Sequence, residues 1–336
     1  MAIKESKNRV VTFGETMIRL SPPDYARFEQ AESMDVNVGG SEMNVAVALT
    51  RLGLNSAFLT RLTDNPFGRM IVNKAREHGV DTSGVVWTKE DRVGKYFVEF
   101  GANPRPSSVI YDRKDSAISK ISPGEIDWEE AFSEAELFHT SGITPALGSS
   151  AAEVTGEAMR AAKEEGLKVS VDSNYRTKLW SEEEAGRCMS ELMEYTDILI
   201  TTEEDTERVF DLTGEDYAQV AEQLIDKFGF EVVAITLREN VSMWKNNWTA
   251  IAYADGETYT DMTYELELVD RVGGGDSFSA GFLYGYLTGE GDPQRALEYG
   301  NATSAIKQTN PGDLNWTNLE EVESLVEGGG RMRIDR

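Results

Sequence analysis

The chain has 336 residues, which is long enough to bury a sizeable core in one large α/β domain or two smaller ones. Its 33 lysines and arginines against 59 aspartates and glutamates give a formal net charge of −26. That charge argues against nucleic acid and anionic membranes as partners, since both require a positive surface. It leaves open a solvated acidic surface or adaptation to a saline cytosol, and it requires local arginines to meet an anionic substrate.

The cysteine content and the first residues indicate the compartment. A single cysteine, Cys188, allows no internal disulfide, so we expect it to be structural and the protein to work in a reducing cytosol. The first ten residues, MAIKESKNRV, lack the apolar core of a signal peptide, and the sequence has no run of 18 apolar residues. We therefore expect a cytoplasmic protein.

Along the chain, short apolar runs alternate with amphipathic helical patterns, which is typical of a mostly parallel sheet covered by helices on both faces. The expected strands of this central sheet cover residues 10–14, 57–62, 137–142, 168–172, 197–201 and 231–237. The expected helices cover residues 41–53, 150–166, 181–195, 215–229, 277–288 and 293–308. Several of these helices open at a serine or close at a glycine, as helix ends commonly do.

Two segments interrupt this alternation. Residues 17–38 and 92–113 contain β-prone alternating patterns with no helix between them. Such strands do not insert easily into a parallel core, so we place them in a small separate sheet over the strand ends, where open α/β sheets bind ligands. That sheet would act as a lid. A further β-rich stretch, 244–261, is expected to form an antiparallel edge of the main sheet.

The segment with the clearest chemistry is VDRVGGGDSFSAGF, residues 269–282. Gly273, Gly274 and Gly275 run directly into Asp276 and then into a helical pattern. Glycines let a turn bring backbone N–H groups against a phosphate, and the following helix start adds partial positive charge. A carboxylate at such a cradle is repelled by the anion unless it accepts a proton beside the transferred group. The pattern therefore predicts phosphoryl transfer, with Asp276 as the base.

Three weaker patterns indicate a binding site for a second substrate. Gly39 and Gly40 precede a helix that carries Asn44, which allows close approach by a ligand hydroxyl, although glycine pairs before helices are often plain turns. On the lid strands, Tyr111 and Arg113 share one face and Tyr96 lies on the other strand. Arg113 suits bidentate recognition of a carboxylate, with an exposed edge arginine as the alternative.

The loop after the strand at 168–172 carries Asp172, Asn174 and Arg176 at a strand end, where α/β active sites lie. A second arginine there suggests an anionic substrate, although Arg176 could instead bind phosphate or pair with Asp172. After the next strand, the acidic helix start with Glu204 and Asp205 offers a carboxylate that could orient Mg²⁺. The alternative is that these acids only complement the helix dipole.

The two histidines do not predict a metal or catalytic site. His78 lies before a glycine at a helix end and is expected to be an ordinary cap, and His139 is expected to be a satisfied inner residue. With one cysteine, two distant histidines and no serine-centred elbow, zinc hydrolysis and triad chemistry are set aside.

Taken in order, these motifs resemble the ribokinase-like (PfkB) family of carbohydrate kinases. The motifs that carry the resemblance are GETMIRL, NVGGSEMNVAVALTRLG, LTDNPFG and VDRVGGGDSFSAGF. Within that family, the chain looks like the 2-keto-3-deoxygluconate kinases through SPPDYARFEQAESMDVNVGG, RPSSVIYDRKDSAIS, HTSGITPALG, VDSNYRTKLW and AITLREN. The resemblance implies a single three-layer α/β/α domain over residues 1–336, with a discontinuous β lid from about 17–38 and 92–113.

The resemblance also implies an activity: transfer of a phosphoryl group from MgATP to the terminal C6 hydroxyl of 2-keto-3-deoxygluconate. The positions that would line the sugar-acid site are Tyr96, Tyr111, Arg113 and Arg176, with the arginines facing the carboxylate, while Gly40 and Asn44 would hold hydroxyls. Asp276 would be the base, and the N–H groups of Gly273 to Asp276 the anion hole. ATP would lie near Thr236, Arg238 and Asn301. Lid strands would pair between subunits in a dimer or an assembly of dimers.

The sequence departs from the wider family at two positions that concern ions. Arg271 and Gly274 stand where the common family form has threonine and alanine, and Arg271 adds charge beside a site that binds a monovalent cation in some relatives, so potassium activation is not expected. The magnesium-associated Asn-x-x-Glu pattern aligns with residues 202–205 and keeps neither end residue. The alternatives to this activity are a fructokinase, a 5-keto-2-deoxygluconate kinase, or a non-catalytic sugar-acid sensor.

Overall fold

Fifteen strands are present in the computed structural model, which describes residues 10–328. They are β1 (Val10–Phe13), β2 (Met17–Ser21), β3 (Asp35–Gly39), β4 (Ser56–Leu59), β5 (Arg61–Thr63), β6 (Val86–Thr88), β7 (Lys95–Glu99), β8 (Ser108–Asp112), β9 (Leu137–Ser141), β10 (Lys168–Asp172), β11 (Ile198–Thr202), β12 (Val232–Ser242), β13 (Lys245–Ala254), β14 (Glu257–Thr260) and β15 (Tyr264–Glu267).

Ten α-helices accompany these strands in the described part of the chain. They are α1 (Ser41–Arg51), α2 (Pro66–Glu77), α3 (Trp128–Phe132), α4 (Ser149–Glu164), α5 (Glu182–Met193), α6 (Glu203–Phe210), α7 (Tyr217–Phe228), α8 (Gly274–Thr288), α9 (Pro293–Lys307) and α10 (Leu319–Gly328). Local sequence explains several starts. A capping box of Ser181 and Glu184 opens α5, and Asp292 caps α9 ahead of a proline at its first position. Over residues 10–328, no helix is long and apolar enough to cross a membrane.

The central sheet has nine strands in the order β14-β13-β12-β11-β10-β9-β1-β4, with β15 also paired to β13. From β12 to β4 every pair is parallel, while β13, β14 and β15 add an antiparallel edge. Alternate residues of β1 enter different cores: Val11 and Phe13 pack with α4 and α5, and Val10 packs with α1, α8 and α9. Helices therefore cover both faces, which confirms the expected three-layer α/β/α class.

A separate four-stranded sheet has the order β3-β2-β7-β8, and β5 pairs with β6 in a small two-stranded sheet. Both halves of the expected lid, 17–38 and 92–113, contribute two strands each to the four-stranded sheet. This confirms the small separate sheet, whereas its role as a lid stays a prediction. The expected antiparallel edge at 244–261 is present as β13 and β14.

Several element boundaries differ from the expectation. The strand expected over 57–62 is two strands, because the chain leaves the central sheet at Thr60 and continues beside β6. The strand expected over 231–237 extends to Ser242, since the polar end of β12 pairs with β13 and gives no apolar signal. Helix α8 begins three residues earlier than expected, inside the glycine run. The expectation that the first ten residues form no signal peptide concerns residues that lie almost wholly outside the described range.

Candidate active site

A cavity of about 390 Å³ lies between the four-stranded sheet, the carboxyl ends of β10, β11 and β12, and the start of α8. Its lining brings together nearly every residue that the sequence indicated. These are Gly39, Gly40, Asn44, Tyr96, Tyr111, Arg113, Asn174, Arg176, Glu204, Asp205, Thr236, Arg238, Gly273, Gly274, Gly275 and Asp276. The lining also includes five residues that the sequence analysis assigned to neither substrate: Glu15, Ser41, Asp172, Arg271 and Asp313.

The glycine run forms one end of this cavity. Gly273 has a φ of +81°, which side chains rarely adopt, and a Cβ there would lie 2.2 Å from the backbone oxygen of Asp313. The Gly274 N–H donates to the carbonyl of Arg271 at 3.2 Å. Because the first N–H groups of a helix have no partner within it, those of Gly275 and Asp276 are the donors at this end. A Cβ on Gly275 would meet nothing within 4 Å, so this turn opens onto free space.

Asp276 is held by the first turn of α1. Ser41 donates its hydroxyl to Oδ1 at 2.8 Å, and Asn44 donates its amide to Oδ2 at 2.6 Å. Burial raises the pKa of Asp276, while the bonds from Asn44 and Ser41 and the charge of Arg176 oppose that rise. The carboxylate is therefore a stronger proton acceptor than a free aspartate, and it is fixed in orientation.

Asp172, at the end of β10, lies near Asp276 and changes its electrostatics. Burial raises the pKa of Asp172 to about 8, with the negative charges of Asp276 and Asp205 adding to the effect. Its Oδ1 accepts the N–H of Asn174 at 3.1 Å. Since two nearby buried carboxylates do not both ionise easily, burial and the charge of Asp276 favour the protonated form of Asp172.

The four-stranded sheet supplies the opposite end of the cavity. Tyr96 and Tyr111 are cross-strand partners, and their rings stack with centroids 6.0 Å apart. Arg113 forms an ion pair with Glu15 through Nη2, and its guanidinium lies 5.6 Å from the Tyr111 ring centroid. The Nε of Arg113 is buried with no hydrogen-bond partner among the described residues. The arginine is thus partly neutralised and keeps donors that an anionic ligand could use.

Glu15 was missed by the sequence analysis, although it lies in the GETMIRL motif. Besides Arg113, it accepts the Ser116 hydroxyl at 2.6 Å. Arg176 is exposed and donates to the carbonyl of Tyr175 at 2.9 Å. Asn174 has a φ of +41° and donates its amide to the Ser41 hydroxyl at 3.2 Å, which ties the loop after β10 to the start of α1.

A third part of the cavity lies along β12. Thr236 and Arg238 line it together with Arg271. Burial lowers the pKa of the Arg271 guanidinium, and the like charge of Arg238 lowers it further. Asn301 does not lie here: it is fully buried on α9 and donates its amide to Asp261 Oδ2 at 3.0 Å. Asn301 thus lies on the face of α9 that packs inside the protein.

The carboxylates after β11 differ in what they contact, which bears on whether they fit Mg²⁺. Asp205 Oδ2 accepts the Ser173 hydroxyl at 2.9 Å and the Tyr175 N–H at 3.1 Å, so it supports the loop after β10. Glu204 is exposed and pairs with Arg208, at 3.1 Å on the same helix. Within residues 10–328, no group of three or more acidic, histidine or cysteine side chains could hold a metal. This donor set fits a magnesium ion bound mainly by substrate phosphates and water.

The histidines lie away from the cavity lining. His78 is the C-cap residue of α2, as expected. His139 lies inside β9, with Nδ1 3.1 Å from the Ser170 hydroxyl and Nε2 without a partner in the described structure. Burial lowers the pKa of His139 to about 3, so it is a neutral core residue.

Comparison with known proteins agrees with this geometry. The family described as pfkB family carbohydrate kinase matches residues 7–318. A 2-dehydro-3-deoxygalactonokinase of Haloferax volcanii is 41% identical over 97% of this chain and 99% of its own. A 5-dehydro-2-deoxygluconokinase of Bacillus subtilis is 28% identical over 95% of each chain. The crystal structure of a 2-dehydro-3-deoxygluconokinase from Thermotoga maritima is similar with a TM-score of 0.93 and 44% identity, covering 96% of this chain and 98% of that one.

The fold and the site thus define a carbohydrate kinase, in which a glycine turn at the start of α8 runs directly into a fixed aspartate at one end of the cavity. The chain belongs to the pfkB family of carbohydrate kinases. The resemblance inferred from the sequence motifs is confirmed by these comparisons.

Proposed function

We propose that the protein transfers the γ-phosphoryl group of ATP to the terminal C6 hydroxyl of 2-keto-3-deoxygluconate, giving 2-keto-3-deoxy-6-phosphogluconate and ADP. The observation that carries the proposal is the polarity of the cavity. Arg113 and Arg176 line it together with the stacked tyrosines, and Asp276 lies at the glycine turn. A sugar acid suits this arrangement, with its carboxylate at the arginines and its far hydroxyl at Asp276.

In the proposed reaction, Asp276 accepts the proton of the C6 hydroxyl as its oxygen attacks the γ-phosphorus, and the bond to the ADP oxygen breaks. Ser41 and Asn44 orient the carboxylate for this transfer. The N–H groups at the start of α8 stabilise negative charge on the equatorial oxygens. When bound, Mg²⁺ would neutralise phosphate charge, and Glu204 is the carboxylate proposed to orient it through water.

ATP is proposed to lie along β12, with its phosphates toward the glycine turn. Arg238 and Arg271 support this placement, because two guanidinium groups lining one cavity favour a polyanion between them. Thr236 lines the same part of the cavity. Asn301 is left out of the proposed nucleotide site, since its amide is bonded to Asp261 inside the protein.

The C4 epimer, 2-keto-3-deoxygalactonate, is a second candidate substrate. The observation that favours it is the name of the Haloferax volcanii relative, whereas the Thermotoga maritima structure favours the gluconate form. The two sugars differ only in the direction of one hydroxyl. Both place a carboxylate and a terminal hydroxyl at the same two ends of the cavity, so the proposed mechanism applies to both.

The test is a steady-state assay of ADP formation with MgATP against a panel of sugars. The panel contains both 2-keto-3-deoxy acids, 5-keto-2-deoxygluconate, fructose and ribose. We expect the highest kcat/KM with 2-keto-3-deoxygluconate and a clear preference for acids over neutral sugars. A preference for fructose would overturn the assigned arginine site. Calorimetric binding of a keto acid with no turnover of any sugar would support the sensor instead.

We also propose that the protein forms a dimer, or an assembly of dimers, through the four-stranded sheet. Val36 and Ile110 lie on its two edge strands and are 53% and 56% exposed. Exposed apolar edge strands invite pairing with another chain. Light scattering should give a mass of at least two chains, and Ile110→Lys should lower it. A monomer in the unmodified protein would contradict the proposal.

A further inference from the structure

A buried ionic cluster lies directly behind the glycine turn and takes no part in the proposed chemistry. Its centre is Arg19 on β2 of the four-stranded sheet, which is 1% exposed. The guanidinium donates through Nη2 to Asp270 Oδ2 at 2.7 Å and through Nη1 to Asp313 Oδ2 at 2.8 Å. The two carboxylates lie 251 and 294 residues away in sequence. One side chain therefore joins the small sheet to two loops of the large domain.

Asp270 fixes the start of the glycine turn. Its Oδ1 accepts the N–H of Val272 at 3.0 Å, and its Oδ2 also accepts the N–H of Gly312 at 3.0 Å. Its backbone carbonyl accepts the Lys307 ammonium at 3.1 Å. The carboxylate thus joins the segment that enters the turn to the loop after α9. Any displacement of this carboxylate moves the backbone two residues ahead of Gly274.

Asp313 is wedged between the two glycine motifs of the site. A Cβ on Gly39 would lie 2.4 Å from its Oδ1, and a Cβ on Gly273 would lie 2.2 Å from its backbone oxygen. Both glycines are therefore required by the close approach of this one residue. Asp313 therefore sets the distance between the Gly39 segment and the glycine turn. The ion pair with Arg19 fixes the position of Asp313.

The cluster contains two cationic and two acidic side chains, all of them buried. Arg19 and Lys307 face Asp270 and Asp313, and the Arg19 and Lys307 side chains are almost fully buried. Burial lowers the pKa of Lys307 to about 8 and raises that of Asp313 to about 6. Buried ion pairs stabilise a fold weakly in comparison with apolar packing. They fix geometry, however, because a buried charge that loses its partner is strongly unfavourable.

We propose that Arg19 is a positioning residue for phosphoryl transfer. By holding Asp270 and Asp313 at once, it fixes the glycine turn against the Gly39 segment, so that the N–H groups at the start of α8 meet the transferring group. This proposal rests on one part of the proposed function, namely that the glycine turn binds the transferring phosphoryl group. It does not depend on which sugar is phosphorylated.

The test compares Arg19→Ala with a matched control, Arg105→Ala. Arg105 is also an arginine of the small-sheet region and forms a 2.6 Å ion pair with Glu99, but it does not line the cavity. We expect Arg19→Ala to lower kcat on the order of 100-fold, because small misplacements of catalytic groups have effects of that size. KM values for both substrates should change only a few-fold. The control should keep its kcat.

Added guanidinium chloride supplies a readout that a general loss of stability would not give. At tens of millimolar, well below denaturing concentrations, guanidinium should restore part of the kcat of Arg19→Ala and leave Arg105→Ala unchanged. An unchanged kcat in Arg19→Ala would overturn the proposal. So would a lower kcat that guanidinium does not restore in a variant with a normal thermal midpoint.

Arg19→Lys covers the case in which the alanine variant does not fold. Lysine keeps the charge and loses the planar fork that reaches two carboxylates. We expect a folded protein with a lowered kcat and nearly unchanged KM values, whereas a wild-type kcat would contradict the positioning role. All variants are assayed with the best substrate of the unmodified enzyme. Inactivity of the unmodified enzyme on every sugar would refute the proposed function, which separates that failure from a failure of the Arg19 proposal.

Discussion

The two ends of the cavity differ in how they handle charge. At the glycine turn, Asp276 and Asp172 are carboxylates with raised pKa values, and polar bonds from α1 fix the one that keeps its charge. At the four-stranded sheet, Arg113 is held by Glu15 and lies over the ring of Tyr111. One end thus keeps a base in dry surroundings, while the other offers a cation that is already partly neutralised.

This difference separates the chemical step from substrate choice. Under the proposed function, changes at the glycine turn should act on kcat, because Asp276 and the start of α8 would contact the reacting atoms. Changes at the small sheet should act on KM, because Arg113 would bind a carboxylate that does not react. The balance between Arg113 and Glu15 then determines how strongly acids are preferred over neutral sugars.

The largest effect is expected from Asp276→Asn. Loss of the base should lower kcat on the order of 10²- to 10⁴-fold, with KM for the sugar changed much less. Steady-state ADP formation measures this. The comparison variant is Asp172→Asn, which replaces a neighbour whose protonated form is favoured by burial. Its loss should be far smaller, and equal losses in the two variants would contradict the assignment of Asp276 as the base.

Arg113→Ala should have the next largest effect. Hydrogen bonds to charged groups contribute about 1.5–3 kcal/mol, which corresponds to a rise of roughly 10- to 100-fold in KM for the keto acid. KM for ATP should stay near its original value. Glu15→Gln should act in the opposite direction and lower KM for the acid, since it removes the carboxylate that competes for the guanidinium.

Arg92 provides the control for this end of the cavity. It is an arginine beside β7 that pairs with Asp112 and does not line the cavity. Arg92→Ala should leave KM for the acid unchanged. If Arg113→Ala also leaves it unchanged, the carboxylate is bound elsewhere and the proposed direction of the substrate is wrong.

A smaller change is expected from Arg271→Gln. If ATP phosphates lie between Arg271 and Arg238, the variant should raise KM for ATP several-fold and leave KM for the sugar acid unchanged. The exposed Arg69, which pairs with Asp64 on the surface, gives a control variant of the same chemistry. A rise in KM for the sugar acid instead would mean that Arg271 binds the sugar acid and not ATP.

The sequence could predict site residues whose arrangement depends on neighbouring residues in the chain. The glycine run and Asp276 are adjacent in the chain, and the β-prone segments put Tyr96 and Tyr111 on strands of the small sheet, where the two residues pair in register. The partners that tune the site were not accessible. Glu15 and Arg113 are 98 residues apart, and no periodicity indicates which distant carboxylate an arginine will meet.

The same limit applies to the nucleotide and to the metal. The family resemblance, and no pattern in the sequence, put Asn301 near ATP, and only the structure shows that it is buried on α9 with its amide bonded to Asp261. Glu204 and Asp205 are neighbours in sequence with different surroundings. Only packing shows that Asp205 is bonded to the loop after β10 while Glu204 stays at the surface.

The smallest effect concerns the pH dependence of stability rather than catalysis. Glu42 follows Ser41 on α1, is fully buried, and accepts the Ser141 hydroxyl at 2.6 Å and the Thr144 hydroxyl at 2.9 Å. Its Oε2 has no partner within the described residues. Burial raises the pKa of Glu42 from its ordinary 4.5 to about 7, against the bonds from Ser141 and Thr144.

A raised carboxyl pKa stabilises the fold below the unfolded value and loses that contribution as the pH rises through the folded value. For Glu42 the loss falls between 4.5 and about 7. Glu42→Gln should therefore flatten the decline of the thermal midpoint over that range, while Asp172 continues to lower it up to about pH 8. Glu77 is an exposed acid whose pKa is lowered by Lys74, so Glu77→Gln should keep the slope of the unmodified protein. An unaltered slope in Glu42→Gln would mean that Glu42 is ionised in the folded protein and that burial does not keep its proton there.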